Sequence, residues 1–291
     1  MIDSDSGPWW LDVATCRSLV GAGWSEDAID WRVSTGRWQR PVRGVVTRTS
    51  GELTQDQRRV VGLLYGGDGA MLSHGSAGAL FSLCPEPAQV QVTTAHGPHV
   101  RSNDLVSVHQ SLRPTEPWLI EDMLVTPPAR TAIDLALDLT DLDAVHAVLG
   151  RSVQRRLATP EQLSHELAMA PKRGSMLPRV ALEQVTAGAH AASEARFLRL
   201  VRRGGLPEPE LNAPVVTADG VKFVDALWRQ LGKGAEIDGR PYHFEPRAWA
   251  ADLVRQNALA CCGITLLRIL ASRLWTDERA VLAELTAFLL G

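Results

Sequence analysis

Residues 224–239 read "VDALWRQLGKGAEIDG", and this stretch indicates how the C-terminal part of the chain folds. Near its end, apolar residues alternate with Glu236 and Asp238, which is the period-two pattern of a β-strand. Both carboxylates are therefore expected to project from one face of that strand. Asp225 ends the preceding apolar run, "VKFVD", so two adjacent strands would bring it within reach of Glu236 or Asp238.

The flanking sequence predicts the order α, β, β, β, α, β, α over residues 191–291. "SEARFLRLVRRGG" begins with Ser193 as a helix cap and places Glu194 in the first helical turn. A hairpin is predicted around Asp219 and Gly220, because Asp-Gly is a strong turn signal between two strand patterns. The strand with the two carboxylates follows, then a helix, the strand "ITLLRIL" and a final helix.

Acidic residues from a helix start and two adjacent strands would repel one another if they met without a counter-charge. The members of this predicted cluster are Glu194, Asp225, Glu236 and Asp238. Mg²⁺ or Mn²⁺ would remove the repulsion, since hard cations favour carboxylate oxygen, and would support phosphodiester hydrolysis. The alternative is a set of scattered acids on exposed strand faces.

The segment "VDALWRQLGKGAEIDGRPYHFEPRAWAADLVRQNALACCGITLLRI" resembles the PD-(D/E)xK nuclease superfamily, and most closely the branch related to very-short-patch repair endonucleases. The resemblance covers about residues 191–275. It implies a restriction-endonuclease-like α/β domain that cuts DNA. The matching positions are Glu194, Asp225, the E-x-D-G of Glu236 to Gly239, His243, Asp252 and Arg255.

The resemblance also implies roles for these residues. Asp225 would be the central metal ligand, with Glu236 or Asp238 as a second ligand and the main-chain carbonyl of Ile237 as a further oxygen. Glu194 would bind the metal directly or through water. His243 would orient or deprotonate the attacking water.

On the next helix, Asp252 and Arg255 are three residues apart and would share a face that supports the site or holds phosphate. The lysine usual in D/E-x-K is absent, and Asp238 stands in its place. Lys222, Lys233 and Arg255 are the candidates to supply the missing positive charge.

The N-terminal segment 11–48 reads as two short helices followed by a basic hairpin, the pattern of a winged helix-turn-helix. Trp31, Arg32 and Thr35 would approach a major groove, and the hairpin arginines would contact the backbone. The alternative is a solvated charged hairpin. Trp24 and Trp38, with Trp31, are expected mainly in core packing. Five arginines and no acids fall between positions 32 and 48: Arg32, Arg37, Arg40, Arg43 and Arg48.

The stretch "GWSEDAIDWRVSTGRWQRPVRGVV" resembles the winged-helix domain of AbiEi-family antitoxins of type IV toxin–antitoxin systems. The resemblance continues through "SHGSAGAL" and "LVTPPARTAIDLA" and covers about the first 150 residues. It implies DNA binding, repression of the protein's own operon and a cognate toxin protein as a partner.

The predicted fold class is therefore α+β with several domains: a winged helix-turn-helix at 1–50, an α/β middle segment at 51–150, a helical connector at 151–190 and the nuclease-like domain at 191–291. The net charge of −3 restricts any basic surface to a local patch. The composition predicts a cytoplasmic protein without a membrane span, and the sequence contains no motif for an organic cofactor. The predicted function is metal-dependent DNA endonuclease, and the alternative is a non-catalytic antitoxin or autorepressor with a degenerate nuclease domain.

Overall fold

The computed structural model of the chain describes residues 7–94, 100–113, 115–238 and 246–291, with the side chains of 246–251 excepted. The chain divides into two compact units, Met1–Leu182 and Glu183–Gly291. The described residues form eleven α-helices and three β-sheets, so the expected multi-domain α+β class is confirmed. No helix in these ranges is long and apolar enough to cross a membrane.

The first part of unit one is a small helical layer on a three-stranded antiparallel sheet of order β1-β3-β2. Ser25 caps α2, since its hydroxyl accepts a hydrogen bond from Ala28 N. Trp24 and Trp38 are buried in the core of this part, as expected, whereas Trp31 is 49% exposed. The elements are β1 (Val13–Thr15), α1 (Cys16–Gly21), α2 (Glu26–Ser34), β2 (Gln39–Val42) and β3 (Val45–Thr47).

The second part of unit one is built on a five-stranded mixed sheet of order β6-β5-β4-β8-β7. The alternating segments "VQVTT" (90–94) and "VSVHQ" (106–110) form the parallel pair β5–β6. Gly62 lets α3 approach β5 closely, because a Cβ at this position would clash with Val90. The elements are α3 (Gln55–Gly66), β4 (Met71–Leu72), α4 (His74–Leu80), β5 (Val90–Thr94), β6 (Val106–Gln110), β7 (Trp118–Ile120), β8 (Met123–Val125), α5 (Pro128–Asp138), α6 (Leu142–Gln154) and α7 (Pro160–Met169).

Unit two has the predicted order of elements, with a four-stranded sheet of order β12-β11-β10-β9. Strands β11 and β12 are parallel, and the other neighbours are antiparallel. The elements are α8 (Met176–Arg203), β9 (Glu210–Thr217), β10 (Gly220–Trp228), β11 (Lys233–Asp238), α9 (Pro246–Cys261), β12 (Thr265–Leu270), α10 (Arg273–Thr276) and α11 (Glu278–Leu290).

Each face of this sheet is covered by helices. Helices α8 and α11 pack on one face, where Ala235 and Ile237 of β11 join their core. On the other face, Leu259 of α9 packs against Val224 of β10 and its neighbours. Because successive strand residues point to opposite faces, Glu236 and Asp238 point toward α9.

The beginning of α8 differs from the prediction. The helix starts at Met176, so Glu194 lies well inside it and not in a first turn. Ser193 does not cap a helix: its hydroxyl donates a hydrogen bond to the Ala189 carbonyl, one turn earlier. The alanine-rich residues before Ser193 favour continuous helix, which overrides the local preference of serine for a cap position.

Candidate functional site

Asp225 occupies the point where the β10–β11 ladder ends. The last paired residues are Ala226 and Ala235, and beyond them the Ile237 N–H donates to Asp225 Oδ2 at 2.8 Å. The carboxylate thus takes the place of a main-chain acceptor. Since the N–H and C=O of one strand residue point to the same side, the Ile237 carbonyl also faces β10.

Glu236 is the most buried acid of the site, with 8% of its surface exposed. Burial raises its pKa, and Asp225 contributes to the increase, while Arg255 of α9 opposes it. Arg255 Nη2 donates to Glu236 Oε1 and also to the Phe223 carbonyl, the latter at 2.6 Å. Asp225 and Glu236 are therefore close enough to interact electrostatically, and an arginine already holds one of them.

Asp238 belongs to a separate ion-pair network. Arg268 of β12 binds both of its oxygens, with Nε–Oδ2 at 2.7 Å and Nη2–Oδ1 at 3.1 Å. The remaining Nη1 of Arg268 donates to Asp252 of α9. Bonding to the two acids raises the pKa of Arg268, so it stays charged throughout the accessible range. Asp252 thus supports the site through Arg268, and not through its predicted neighbour Arg255.

One predicted member, Glu194, is not joined to the cluster of Asp225 and Glu236, and a second falls outside the described residues. Glu194 is half-buried on α8, the helix that packs against the opposite sheet face from α9, and in the described part of the chain no hydrogen bond or ion pair links it to Asp225 or Glu236. His243 lies outside the described residues.

The positive charge at this site comes from arginines. Lys233 lies at the other end of β11, roughly 16 Å from Asp238 along an extended strand, where it donates to the Leu289 carbonyl at 3.4 Å. Arg268 was missed by the sequence reasoning. A single charged residue at an inward position of the apolar run "ITLLRIL" was the available signal, because such a residue needs a buried partner.

Some, but not all, of the predicted oxygen ligands at this site are available to a hard cation. The carboxylates of Asp225 and Glu236 and the Ile237 carbonyl are all oxygen donors at one end of the β10–β11 ladder. Of the two alternatives for the second carboxylate, Glu236 is favoured, because both oxygens of Asp238 are engaged by Arg268. Across the described ranges, no group of three His, Cys, Asp or Glu side chains is close enough to hold a metal ion.

The basic segment of unit one is partly neutralised by acids from outside it. Asp30 pairs with Arg40 at 2.5 Å, and Asp12 pairs with Arg48 at 2.7 Å. Arg32 lies over the buried Trp24 ring, 4.5 Å from its centroid, so it serves packing as well as charge.

Fewer arginines of this basic segment are unpaired than its sequence suggests. Arg37 lies 4.9 Å from the centroid of the exposed Trp31 ring, and Arg43 is exposed in the turn between β2 and β3. Neither has an acidic partner within the described ranges. Thr35 follows the last residue of α2 and donates to the Trp31 carbonyl at 2.8 Å. Trp31 and the two arginines without an acidic partner, Arg37 and Arg43, are named here the α2–β2 surface.

Unit one also contains a buried polar cluster that the sequence reasoning did not identify as a site. The His74 and His109 rings stack with centroids 3.8 Å apart, and Asp138 Oδ2 lies 4.0 Å from His74 Nε2. Beside them, Arg130 binds Asp134 at 2.6 Å, one helical turn along α5. These residues come largely from "SHGSAGAL" and "LVTPPARTAIDLA", so the two motifs meet in one cluster.

This cluster should make the protein less stable in acid. Burial, together with the neighbouring His109, lowers the pKa of His74 to about 4. Asp134 raises this pKa, whereas the guanidinium groups of Arg130 and Arg113 lower it. An unfolded histidine titrates near 6.5, so the stabilising effect is complete above pH 6.5 and is lost as pH falls toward 4. For a shift of this size, the loss is about 3 kcal/mol.

Urea unfolding between pH 7 and pH 4 measures this loss. His74→Asn should flatten the pH profile, because asparagine does not titrate and tolerates the positive φ of 46° at this position. His146→Asn, at an exposed position of α6, is the matched control and should retain the wild-type slope. Equal slopes in the two variants would show that His74 does not cause the acid sensitivity.

Comparison with known proteins yields no family. No protein-family model matches the chain, and no curated protein matches it. One solved structure with partial similarity is the crystal structure of RV2827C protein from Mycobacterium tuberculosis, which is 16% identical in sequence and has a TM-score of 0.39. The match covers 60% of this chain and 75% of that chain. A likeness of this size carries no argument about fold class or function.

Proposed function

We propose that the chain is a DNA-binding protein whose C-terminal unit is a metal-dependent endonuclease of the PD-(D/E)xK kind. One observation supports this proposal most strongly. At the end of the β10–β11 ladder, the Asp225 carboxylate replaces a main-chain acceptor, and it lies close to the Glu236 carboxylate. This brings two carboxylates and the Ile237 carbonyl together at one end of that ladder. Asp225 uses Oδ2 to accept the Ile237 N–H, and its second oxygen, Oδ1, is the atom proposed to bind a cation.

In this proposal, Asp225, Glu236 and the Ile237 carbonyl hold Mg²⁺ or Mn²⁺. The ion supplies a Lewis acid for phosphodiester hydrolysis. Arg255 holds Glu236 when no cation is bound and then donates to a phosphate oxygen of the substrate, which is the role of the absent lysine. Asp238, Arg268 and Asp252 keep β11, β12 and α9 in register. His243 stays a candidate for orienting water.

A second candidate function is a non-catalytic DNA-binding regulator of the AbiEi kind, with a cognate toxin as partner. The observation that favours it is the pairing of Glu236 with Arg255, which neutralises this acid without any metal. A fold related to nucleases does not by itself confer activity.

Plasmid nicking with titrated Mg²⁺ and Mn²⁺ separates the two candidate functions. The endonuclease produces open-circular DNA only when a divalent cation is present, and EDTA stops the reaction. Arg255→Ala should lower turnover by about 10²–10³, as for the loss of one electrostatic donor, without weakening metal binding, because Arg255 competes with the cation for Glu236. A protein that binds DNA but leaves plasmid intact at every metal concentration would establish the regulator instead.

The α2–β2 surface is the proposed DNA-binding surface of unit one, in the manner of a winged helix. Replacing Arg37 and Arg43 by alanine should flatten the log–log salt dependence of DNA binding by about 1.8, at about 0.9 for each phosphate that the protein no longer neutralises. Fluorescence anisotropy with a labelled duplex measures this slope. Arg40→Ala is the matched control and should change it less, because Asp30 already neutralises Arg40. An unchanged slope in the double variant would place the DNA surface elsewhere.

A further inference from the structure

The C-terminal half of α8 carries four arginines on one exposed face. Together with one acid they line a cavity of about 500 Å³ in unit two. This surface is named here the α8 arginine patch. Its residues are Arg196, Arg199, Arg202 and Arg203, with Glu278 as the acid. Arg196, Arg199 and Arg202 recur every three positions, and Arg203 is four positions after Arg199, which places them along one side of the helix.

The acids near this patch do not balance its charge. Glu278 accepts hydrogen bonds from both Arg196 and Arg203, so one carboxylate serves two guanidinium groups. Glu208 binds Arg202 at 2.7 and 3.2 Å. Arg199 has no acidic partner in the described part of the chain. Four positive charges against two negative ones leave a local excess in a chain whose net charge is −3.

We propose that the α8 arginine patch binds the phosphate backbone of a nucleic-acid duplex, independently of the α2–β2 surface and of any cleavage. Planar guanidinium groups match phosphate oxygens because each can donate two parallel hydrogen bonds. From Arg196 to Arg203 the helix rises about 10 Å, a length that spans about three phosphates of one DNA strand.

The surroundings of the patch favour nucleic acid over a lipid surface. A helix that binds a membrane interface presents aromatic and aliphatic side chains next to its basic ones. Here three of the four intervening apolar residues, Phe197, Leu200 and Val201, are buried in the core of unit two with at most 1% of their surfaces exposed, and Leu198 is half-buried. Guanidinium groups line the cavity, and they can donate hydrogen bonds to successive phosphates of a nucleic-acid backbone.

Anisotropy with a labelled duplex of arbitrary sequence, in EDTA and at several salt concentrations, tests the proposal on the full-length protein. The background is Arg37→Ala with Arg43→Ala, so that the α2–β2 surface contributes little. Adding Arg199→Ala, which has no acidic partner in the described ranges, and Arg203→Ala, which shares Glu278 with Arg196, should flatten the remaining salt slope by about 1.8. The matched control adds Arg229→Ala and Arg273→Ala, an exposed and a half-buried arginine of the same unit that pair with Glu210 and Glu284. The control should keep the slope.

Thermal unfolding of each variant establishes that it is folded. The proposal is overturned if the background protein has no residual duplex binding, if both quadruple variants have the same slope, or if the patch binds phosphatidylserine vesicles and not duplex. Because EDTA prevents metal-dependent cutting, these results are separate from the outcome of the nicking assay. A protein that never cuts DNA can still satisfy this test.

Discussion

Asp225→Asn should abolish both cleavage and the stabilisation of the protein by Mn²⁺. The wild-type protein should gain about 2.7 kcal/mol when free metal is a hundred times its dissociation constant. Without metal, the variant should be at least as stable as wild type. The asparagine side-chain oxygen can still accept the hydrogen bond from the Ile237 N–H, and the electrostatic repulsion between residue 225 and Glu236 is removed. Its turnover should fall by more than about 100-fold.

Thermal melts in EDTA and in Mn²⁺, together with plasmid nicking, measure these effects. Asp219→Asn is the matched control, since Asp219 is exposed in the β9–β10 turn of the same unit. Burial raises the pKa of Glu236, so the metal-dependent shift should also shrink as pH falls and this carboxyl becomes protonated. If Asp225→Asn destabilises the metal-free protein and wild type shows no metal shift, Asp225 has a structural role only.

Arg268→Met should destabilise the protein by about 2–3 kcal/mol, because methionine keeps the apolar stem but leaves Asp238 and Asp252 without their shared cation. Breaking a fully buried ion pair costs about 3–5 kcal/mol, and partial exposure of this network lowers that figure. Arg268 and Asp238 are 30% and 26% exposed at their side chains.

Urea unfolding gives the free energies for this test. Arg273→Met is the matched control, because Arg273 pairs with Glu284 at the surface, and it should stay within about 1 kcal/mol of wild type. Adding Asp238→Asn to Arg268→Met should restore part of the loss, since one of two neighbouring negative charges is then removed. Equal costs for Arg268→Met and Arg273→Met would mean that the network does not stabilise the fold.

Local patterns in the sequence predicted much of the fold. The alternation around Glu236 and Asp238 predicted β11 and the shared face of the two acids, and Ser25 and Thr159 cap α2 and α7 in line with the capping preferences of serine and threonine. These features depend on residues within one element, where period and capping chemistry are sufficient. The start of α8 was missed, because the helical preference of the alanine-rich run extends across Ser193.

The partners of the charged residues were not predictable in the same way. Arg268 meets Asp238 and Asp252 only after β12 pairs with β11 and α9 packs over both. Likewise, Asp30 and Asp12 lie outside the basic segment and reach Arg40 and Arg48 through tertiary packing. Counting charges along the chain therefore overestimated both the uncompensated acids in unit two and the unpaired arginines in unit one.

A crystal soaked in Mn²⁺ tests the central claim most directly, through anomalous difference density at the end of the β10–β11 ladder. The proposed function predicts a peak coordinated by Asp225, Glu236 and the Ile237 carbonyl, with Arg255 withdrawn from at least one Glu236 oxygen. Asp238 should stay bound to Arg268. An absence of density there, at a Mn²⁺ concentration that supports plasmid nicking and with Glu236 still paired to Arg255, would contradict it.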